Sequence, residues 1–180
     1  MHKIIFLLLT LALAFGCNEP SFKTIGSIQQ LDPSLAQITD TTAPVEIIAE
    51  GFNWTEGPLW VESEKMLLFS DIPPNKIFKW TETKGTELYL TPSGYTGATP
   101  RTGEPGSNGL LLNKEGKLVM CQHGDRRMAM MDAPLNAPKA LFVSLADNYK
   151  GKKFNSPNDA VFSSNGDLFF TDPAYGLEKT

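Results

Sequence analysis

The sequence contains few of the residues that build disulfide networks or nitrogen and sulfur metal sites: two cysteines and two histidines in 180 residues. Two cysteines cannot make a disulfide framework. Cys121 lies in the apolar stretch KLVMCQ, and we expect it to be a small buried hydrophobe. Lysine and arginine are scattered and the net charge is −4, so the sequence gives no sign of a basic surface for nucleic acid.

Long apolar runs are also scarce. The run at the N-terminus, Ile4 to Phe15, has about twelve residues and is too short for a helix that spans a bilayer core of roughly 30 Å. Gly16-Cys17 follows it, and residues 1–17 resemble a lipoprotein-type signal peptide with Cys17 as the lipidated residue. Simple signal-peptide cleavage or an uncleaved anchor are the alternatives. We expect an exported protein, lipid-anchored to a bacterial membrane on its periplasmic or cell-surface side.

Residues 18–44 are rich in Ser, Thr, Gln and Pro and predict a flexible tether between the anchor and a domain. From residue 45 onwards no helical period of any length occurs. The sequence there consists of short apolar runs of Val, Leu, Phe, Tyr and Trp, separated by Gly, Pro and other turn residues. This pattern predicts an all-β domain.

Three segments of this domain resemble one another: EGPLWVESEKMLLFSD from Glu56, NGLLLNKEGKLVMCQ from Asn108 and NDAVFSSNGDLFFTD from Asn158. Their starting positions lie 52 and 50 residues apart. Each has a polar residue, an apolar strand, a turn and a second apolar strand. In the third, Asn165-Gly166 predict a tight hairpin turn with positive φ at both residues.

A period of roughly 40 to 50 residues with several short strands per repeat is typical of β-propeller blades. The remainder of each of the first two repeats has room for two further strands: NKIFKW and TELYL in the first, RRMAMMD and KALFV in the second. Four strands per repeat is the propeller count. A β-sandwich or barrel is the alternative, but neither is expected to repeat itself so closely.

Glu56, Asn108 and Asn158 occupy the same position in the three repeats, where the first strand of each blade begins beside the propeller axis. One carboxylate and two amide oxygens that converge there are hard donors, and no imidazole or thiolate shares their position. Such a set suits Ca²⁺ better than Zn²⁺ or copper. The alternative is that each side chain only caps a turn.

The motifs TEGPLW, SDIPPNKIFKW, PSGYT, SNGLLLNKEGKL, CQHGDRR and KKFNSPNDAVFSSNGDLFFTDPAYGL resemble the gluconolactonase and senescence-marker-protein (regucalcin) family, most closely its bacterial gluconolactonase branch. The resemblance implies a six-bladed β-propeller with a divalent cation, usually Ca²⁺, that hydrolyses sugar lactones or related esters. It implies that residues 45–180 are the N-terminal part of such a domain, truncated at its C-terminus, with about half of the blades.

By the same resemblance, Glu56 and Asn158 match metal ligands, and Asn108 matches a residue that binds metal or substrate. The catalytic residue is unknown from this chain, because the expected general-base aspartate belongs to a blade beyond Thr180. We expect a monomer.

Several other residues are candidates for substrate binding. His123 matches a His-Gly motif of the bacterial branch, and four more lie in loops or at strand ends: Tyr95, Arg101, Arg126 and Tyr175. Each also has a structural interpretation, as a turn, a connector or a solvated side chain. Asp71 and Asp172 recur at the ends of second strands, which favours a role in stabilising each repeat. Trp54 and Trp60 are interpreted as core residues.

Two functional classes remain open. The first is a metal-dependent hydrolase that opens sugar lactones such as glucono-1,5-lactone to the aldonic acid. The second is a non-catalytic propeller at the cell surface that binds a sugar or protein partner and holds a structural Ca²⁺. An aspartate at the matching position of a later blade would favour the enzyme.

Overall fold

The computed structural model describes residues 22–177, which divide into two units, 22–48 and 49–177. In the first unit, β1 (Lys23–Thr24) pairs with β2 (Glu46–Ile47), and a 3-10 helix, Pro33–Gln37, lies between them in the chain. Asp32 caps this helix by accepting a hydrogen bond from the Ser34 amide at 2.8 Å. The stretch predicted as a tether therefore carries local structure. The predicted signal peptide and Cys17 lie outside the described residues.

The second unit contains two four-stranded antiparallel sheets in which successive strands are neighbours. The first sheet consists of β3 (Thr55–Val61), β4 (Met66–Asp71), β5 (Lys76–Thr81) and β6 (Gly85–Leu90). The second consists of β7 (Leu110–Leu112), β8 (Leu118–Gln122), β9 (Arg127–Met131) and β10 (Phe142–Ala146). These sheets confirm the prediction of four strands in each of the first two repeats.

Two hairpins follow the second sheet: β11 (Asn148–Tyr149) with β12 (Lys152–Lys153), and β13 (Ala160–Phe162) with β14 (Leu168–Phe170). The second hairpin forms the first two strands of the third repeat. Within residues 22–177 the chain forms strands, turns and the one 3-10 helix, which confirms the all-β prediction. No helix in this range is long and apolar enough to cross a membrane.

Strand β8 is buried on both faces, by the first sheet on one side and by the hairpin of β13 and β14 on the other. Leu118 and Met120 belong to a core cluster shared with the first sheet, whereas Val119 and Cys121 pack towards β13 and β14. Alternate residues of a strand point to opposite faces, so the unbroken apolar run KLVMCQ follows from this double burial. The prediction that Cys121 is a buried hydrophobe is confirmed.

The turn between β13 and β14 differs from the predicted one. Gly166 has φ +95°, but Asn165 does not have positive φ. The prediction of positive φ at both residues was therefore wrong. The Gly166 amide donates to Ser163 O at 3.0 Å, and the Ser163 amide donates to Asp167 O at 2.9 Å. A longer loop with a single left-handed glycine is thus used, and it removes the need for a left-handed asparagine.

Candidate functional site

The three polar positions that begin the repeats lie side by side. The Gly109 amide donates to Asn158 O at 2.8 Å, and Ser70 Oγ donates to Asn108 O at 2.9 Å. Ser70 is the β4 partner of Glu56. A Cβ at Gly109 would lie 2.9 Å from Asn158 O, so only glycine allows this approach.

Asn108 and Asn158 are also equivalent in their hydrogen bonds. The Asn108 amide donates to Cys121 O at 2.9 Å, and the Asn158 amide donates to Thr171 O at 3.0 Å, at the matching position of the next repeat. Glu56 reaches its place through a register shift between Glu56 and Leu59 of β3. The repeat alignment inferred from the sequence is therefore correct at these positions.

All three side chains line one cavity of about 640 Å³. Its full lining consists of Trp54, Glu56, Glu104, Asn108, Asn158, Ala174, Tyr175 and Leu177. The cavity therefore brings together the three predicted metal ligands and two predicted substrate contacts, Tyr175 and Asn108, of which Asn108 belongs to both sets. A pocket of this size and mixed lining is typical of a small-molecule site.

The oxygen donors of this cavity are suited to a hard cation. Glu56 Oε1 accepts a hydrogen bond from Trp54 Nε1 at 3.1 Å. Within residues 22–177, the side-chain amides of Asn108 and Asn158 make no hydrogen bond to protein groups, although Asn108 is buried. The same part of the chain has no cluster of three or more His, Cys, Asp or Glu side chains that could hold a metal. One carboxylate and two amide oxygens fit Ca²⁺, whose six to eight ligands are oxygens.

The two tryptophans near Glu56 are not core residues, and that prediction was wrong. Trp54 is 52% exposed and Trp60 is 47% exposed. Each indole N–H donates to the glutamate two residues later, Trp54 to Glu56 at 3.1 Å and Trp60 to Glu62 at 2.7 Å. One member of each pair lies in β3, and its partner lies directly beside an end of that strand, Trp54 before it and Glu62 after it. Trp54 therefore helps to orient the Glu56 carboxylate in the cavity.

His123 lies behind the cavity wall rather than in it. The side chain is fully buried, with Nδ1 at 3.3 Å from Pro157 O and Nε2 at 3.1 Å from Glu104 Oε2. Glu104 does line the cavity. His123 therefore contacts a cavity-lining side chain, that of Glu104, without lining the cavity itself.

Glu104 is a residue of the cavity that was not predicted from the sequence. It lies in TPSGYTGATPRTGEPGS, the Gly- and Pro-rich loop that runs from β6 to Asn108, and it is the only acidic residue of that loop. A single carboxylate in a loop that leads directly to a candidate ligand was the available signal, because loops at the mouth of a repeat fold carry binding residues.

Tyr95, Arg101 and Arg126 lie together around a neighbouring cavity of about 480 Å³. Arg101 Nη1 donates to Gly124 O and Nη2 to Gly176 O, both at 2.6 Å, and its guanidinium lies 5.6 Å from the centre of the Tyr95 ring. Arg126 Nε donates to Phe154 O at 2.6 Å. These arginines join loops to one another, and their role in substrate binding stays a prediction.

Asp71 and Asp172 have the role that their recurrence predicted. Asp71 Oδ1 accepts hydrogen bonds from the Asn53 and Trp54 amides at 3.2 and 3.0 Å. The Asp172 carboxylate accepts from the amides of Asn155 and Ser156 at 2.8 and 2.9 Å. In both repeats the carboxylate fixes the segment that enters the first strand, which confirms the prediction.

Comparison with known proteins supports the family resemblance. Residues 54–180 match the SMP-30/Gluconolactonase/LRE-like region. A gluconolactonase of Zymomonas mobilis is 43% identical over 162 residues, which cover 89% of this chain and 44% of the relative.

Two solved structures agree with this assignment. A gluconolactonase of Xanthomonas campestris is 26% identical with a TM-score of 0.67, and the match covers 89% of this chain and 50% of that one. An X-ray structure from a structural genomics consortium, also assigned to the gluconolactonases, is 36% identical with a TM-score of 0.60 over 72% of this chain and 40% of that one. The chain spans half or less of the length of these relatives. It belongs to the SMP-30/gluconolactonase family.

Proposed function

We propose that the whole protein is a Ca²⁺-dependent hydrolase that opens sugar lactones such as glucono-1,5-lactone to the aldonic acid. The observation that carries this proposal is the convergence of Glu56, Asn108 and Asn158, from three successive repeats, on one cavity in a chain of this family. The proposed architecture of the whole domain is a six-bladed propeller, to which this chain contributes two complete sheets and the start of a third.

Glu56, Asn108 and Asn158 would hold the cation through their side-chain oxygens. A bound Ca²⁺ supplies Lewis-acid stabilisation of negative charge on the lactone carbonyl oxygen. The indole N–H of Trp54 donates to Glu56 Oε1 and leaves Glu56 Oε2 for the cation. An exposed indole face beside the carboxylate also gives the sugar ring an apolar surface to pack against.

Hydrolysis requires water to add to the lactone carbonyl carbon while a base removes one of its protons. The bond between the acyl carbon and the ring oxygen then breaks, the ring oxygen takes a proton, and the product is the open hydroxy acid. As the family resemblance implies, we expect the base to be an aspartate of a later repeat.

The test is pH-stat hydrolysis of glucono-1,5-lactone by the whole protein without its leader, with Ca²⁺ and after EDTA. Glu56→Gln is expected to lower the rate by about a hundredfold, as loss of one electrostatic contributor does in other sites. Glu62→Gln is a matched control, because Glu62 also accepts from the tryptophan two residues earlier but does not line the cavity.

Activity that survives EDTA, or equal rates for the two variants, would contradict the proposed metal site. Calorimetry of Ca²⁺ binding supplies a second readout that does not depend on turnover. Ca²⁺ binding without hydrolysis would instead favour the cell-surface binding protein with structural Ca²⁺.

We also propose that the protein is exported and anchored by lipid on Cys17. Metabolic labelling with a radioactive fatty acid is expected to mark the wild-type protein in a bacterial host. A Cys17→Ser variant is expected to lose the label and leave the membrane fraction. Labelling of the variant at the wild-type level would exclude Cys17 as the site.

A further inference from the structure

The Glu104 carboxylate lines the cavity and is held in place by a contact with His123. Its side chain is 22% exposed and lines the same space as the three cation-ligand candidates. Oε2 lies 3.1 Å from His123 Nε2, and within the described residues Oε1 makes no hydrogen bond. One oxygen is therefore fixed by the protein while the other is available to a bound molecule.

The imidazole that holds Glu104 is itself immobilised. His123 is fully buried, and its Nδ1 faces Pro157 O at 3.3 Å. A Cβ at Gly176 would lie 2.1 Å from Nε2, so the glycine backbone lies directly against the ring. The ring is thus held at both nitrogens, by the Pro157 carbonyl oxygen at Nδ1 and by the Glu104 carboxylate at Nε2. The ring cannot turn away without breaking both contacts.

The loop that carries Glu104 is tied on either side. The Gly106 amide donates to Ile72 O at 3.0 Å. Arg101 joins the loop to Gly124 O and Gly176 O. A carboxylate placed this way is pre-organised and loses little conformational freedom when it binds a ligand.

We propose that Glu104 is a substrate-binding residue that accepts hydrogen bonds from ring hydroxyl groups of a sugar lactone, and that His123 is its positioning residue. This inference rests on the proposed function. A carboxylate oxygen is an acceptor, so it selects for hydroxyl donors and against the carbonyl oxygen of the same substrate. Glu104 therefore favours polyhydroxylated lactones and directs their hydroxyl side to its own part of the cavity.

The first test compares KM and kcat for glucono-1,5-lactone in the whole protein. Glu104→Gln is expected to raise KM by about tenfold, as loss of one charge-assisted hydrogen bond does, with a smaller effect on kcat. Glu115→Gln removes an equivalent carboxylate from an exposed turn of the same repeat and is expected to leave both values unchanged. An unchanged KM for Glu104→Gln, or a loss confined to kcat, would overturn the binding role.

His123 is tested by two substitutions that differ in one property. His123→Leu removes the donor to Glu104 and is expected to raise KM as Glu104→Gln does. His123→Gln retains an N–H donor near Nε2 and is expected to restore KM partly. Thermal melts identify a variant that has failed to fold, in which case Glu104→Gln alone decides. Equal KM values for a folded His123→Leu and the wild type would refute the positioning role.

A hydroxylated ring without a carbonyl separates this inference from the proposed function. 1,5-Anhydroglucitol keeps the ring hydroxyls but cannot be hydrolysed, and tetrahydropyran lacks both features. The wild type is expected to bind anhydroglucitol, by NMR titration, about tenfold more tightly than Glu104→Gln, and to show no binding of tetrahydropyran. If the wild type hydrolyses no lactone, the proposed function fails while this titration still decides the role of Glu104. Equal binding by wild type and variant would overturn it.

Discussion

At the scale of single residues, Asp71 contributes more to the free energy of unfolding than its position at a strand end suggests. The side chain is buried and accepts hydrogen bonds from the Asn53 and Trp54 amides. Asp71→Ala leaves both amides without their partner, and we expect a loss of about 3 kcal/mol in the free energy of unfolding. Asp71→Asn keeps one oxygen and should lose less. Urea denaturation measures both, with the exposed Asp132→Ala as the control, expected within about 0.5 kcal/mol of wild type.

Cys121 makes the free energy of unfolding depend on pH in the alkaline range. Burial, with a smaller contribution from Asp159, raises the pKa of the Cys121 thiol to about 12. In the unfolded chain the thiol titrates near about 8.5. Between these values the unfolded state loses a proton that the folded state keeps, so the free energy of unfolding falls as pH rises, whereas below pH 8 the thiol has no effect.

The Cys121→Ala variant is expected to lack this component of the alkaline decline. Urea denaturation of both proteins at pH 7, 9 and 10 gives the difference in slope. Burial also raises the pKa of Tyr89, but that contribution is common to both proteins and cancels. Parallel stability curves would show that Cys121 does not contribute.

Some residues of the candidate site were predictable from the sequence and others were not, for a physical reason. Glu56, Asn108 and Asn158 were found because a repeat places equivalent residues at equivalent points in space. Glu104 was not, because its partner His123 lies in the turn after β8, and only the folded chain brings the two side chains together. Trp54 was misjudged because the sequence did not reveal that the segment leading into β3 leaves the indole exposed.

At the scale of elements, Asn75 connects the turn after β4 to the loop after β6. It has φ +59°, and its Oδ1 accepts hydrogen bonds from the amides of Ser93, Gly94 and Tyr95 at 3.0, 2.7 and 3.2 Å. We expect Asn75→Ala to lower the free energy of unfolding by about 3 kcal/mol, because it removes the acceptor and adds left-handed strain.

Asn75→Gly loses the same acceptor but adopts positive φ without strain, so it should be more stable than the alanine variant by about 1 kcal/mol. Urea denaturation gives both values. Hydrogen exchange at Ser93, Gly94 and Tyr95 is expected to speed up in both variants. Unchanged exchange in these three amides would contradict the role assigned to the Asn75 side chain.

The strands themselves were more predictable than their turns. β8 was recognisable from its apolar run, since both of its faces pack against other repeats. The turn between β13 and β14 was not, because a sequence such as Ser-Ser-Asn-Gly is compatible with loops of different length. Which loop forms depends on the register that the strands need, here with Ala160 opposite Phe170.

At the scale of the whole molecule, the hairpin of β13 and β14 has one covered and one open face. The covered face packs towards β8 with Ala160, Phe162, Leu168 and Phe170. The open face carries the cross-strand pair Val161 and Phe169, each 61% exposed. In the proposed propeller the next repeat covers this pair. Neighbouring exposed apolar side chains on a sheet favour association with other copies.

We therefore expect the 180-residue chain to associate with other copies through this face. The double variant Val161→Lys, Phe169→Lys is expected to reduce that association. Light scattering over a range of protein concentrations measures it. Leu31→Lys with Ile38→Lys is the control, because it replaces two exposed apolar residues elsewhere in the chain. In the whole protein the Val161 and Phe169 substitutions should instead lower the melting temperature, since lysine there would place charge between packed repeats. Equal association of the two double variants would show that this face is not the contact, and an unchanged melting temperature would show that no repeat covers it.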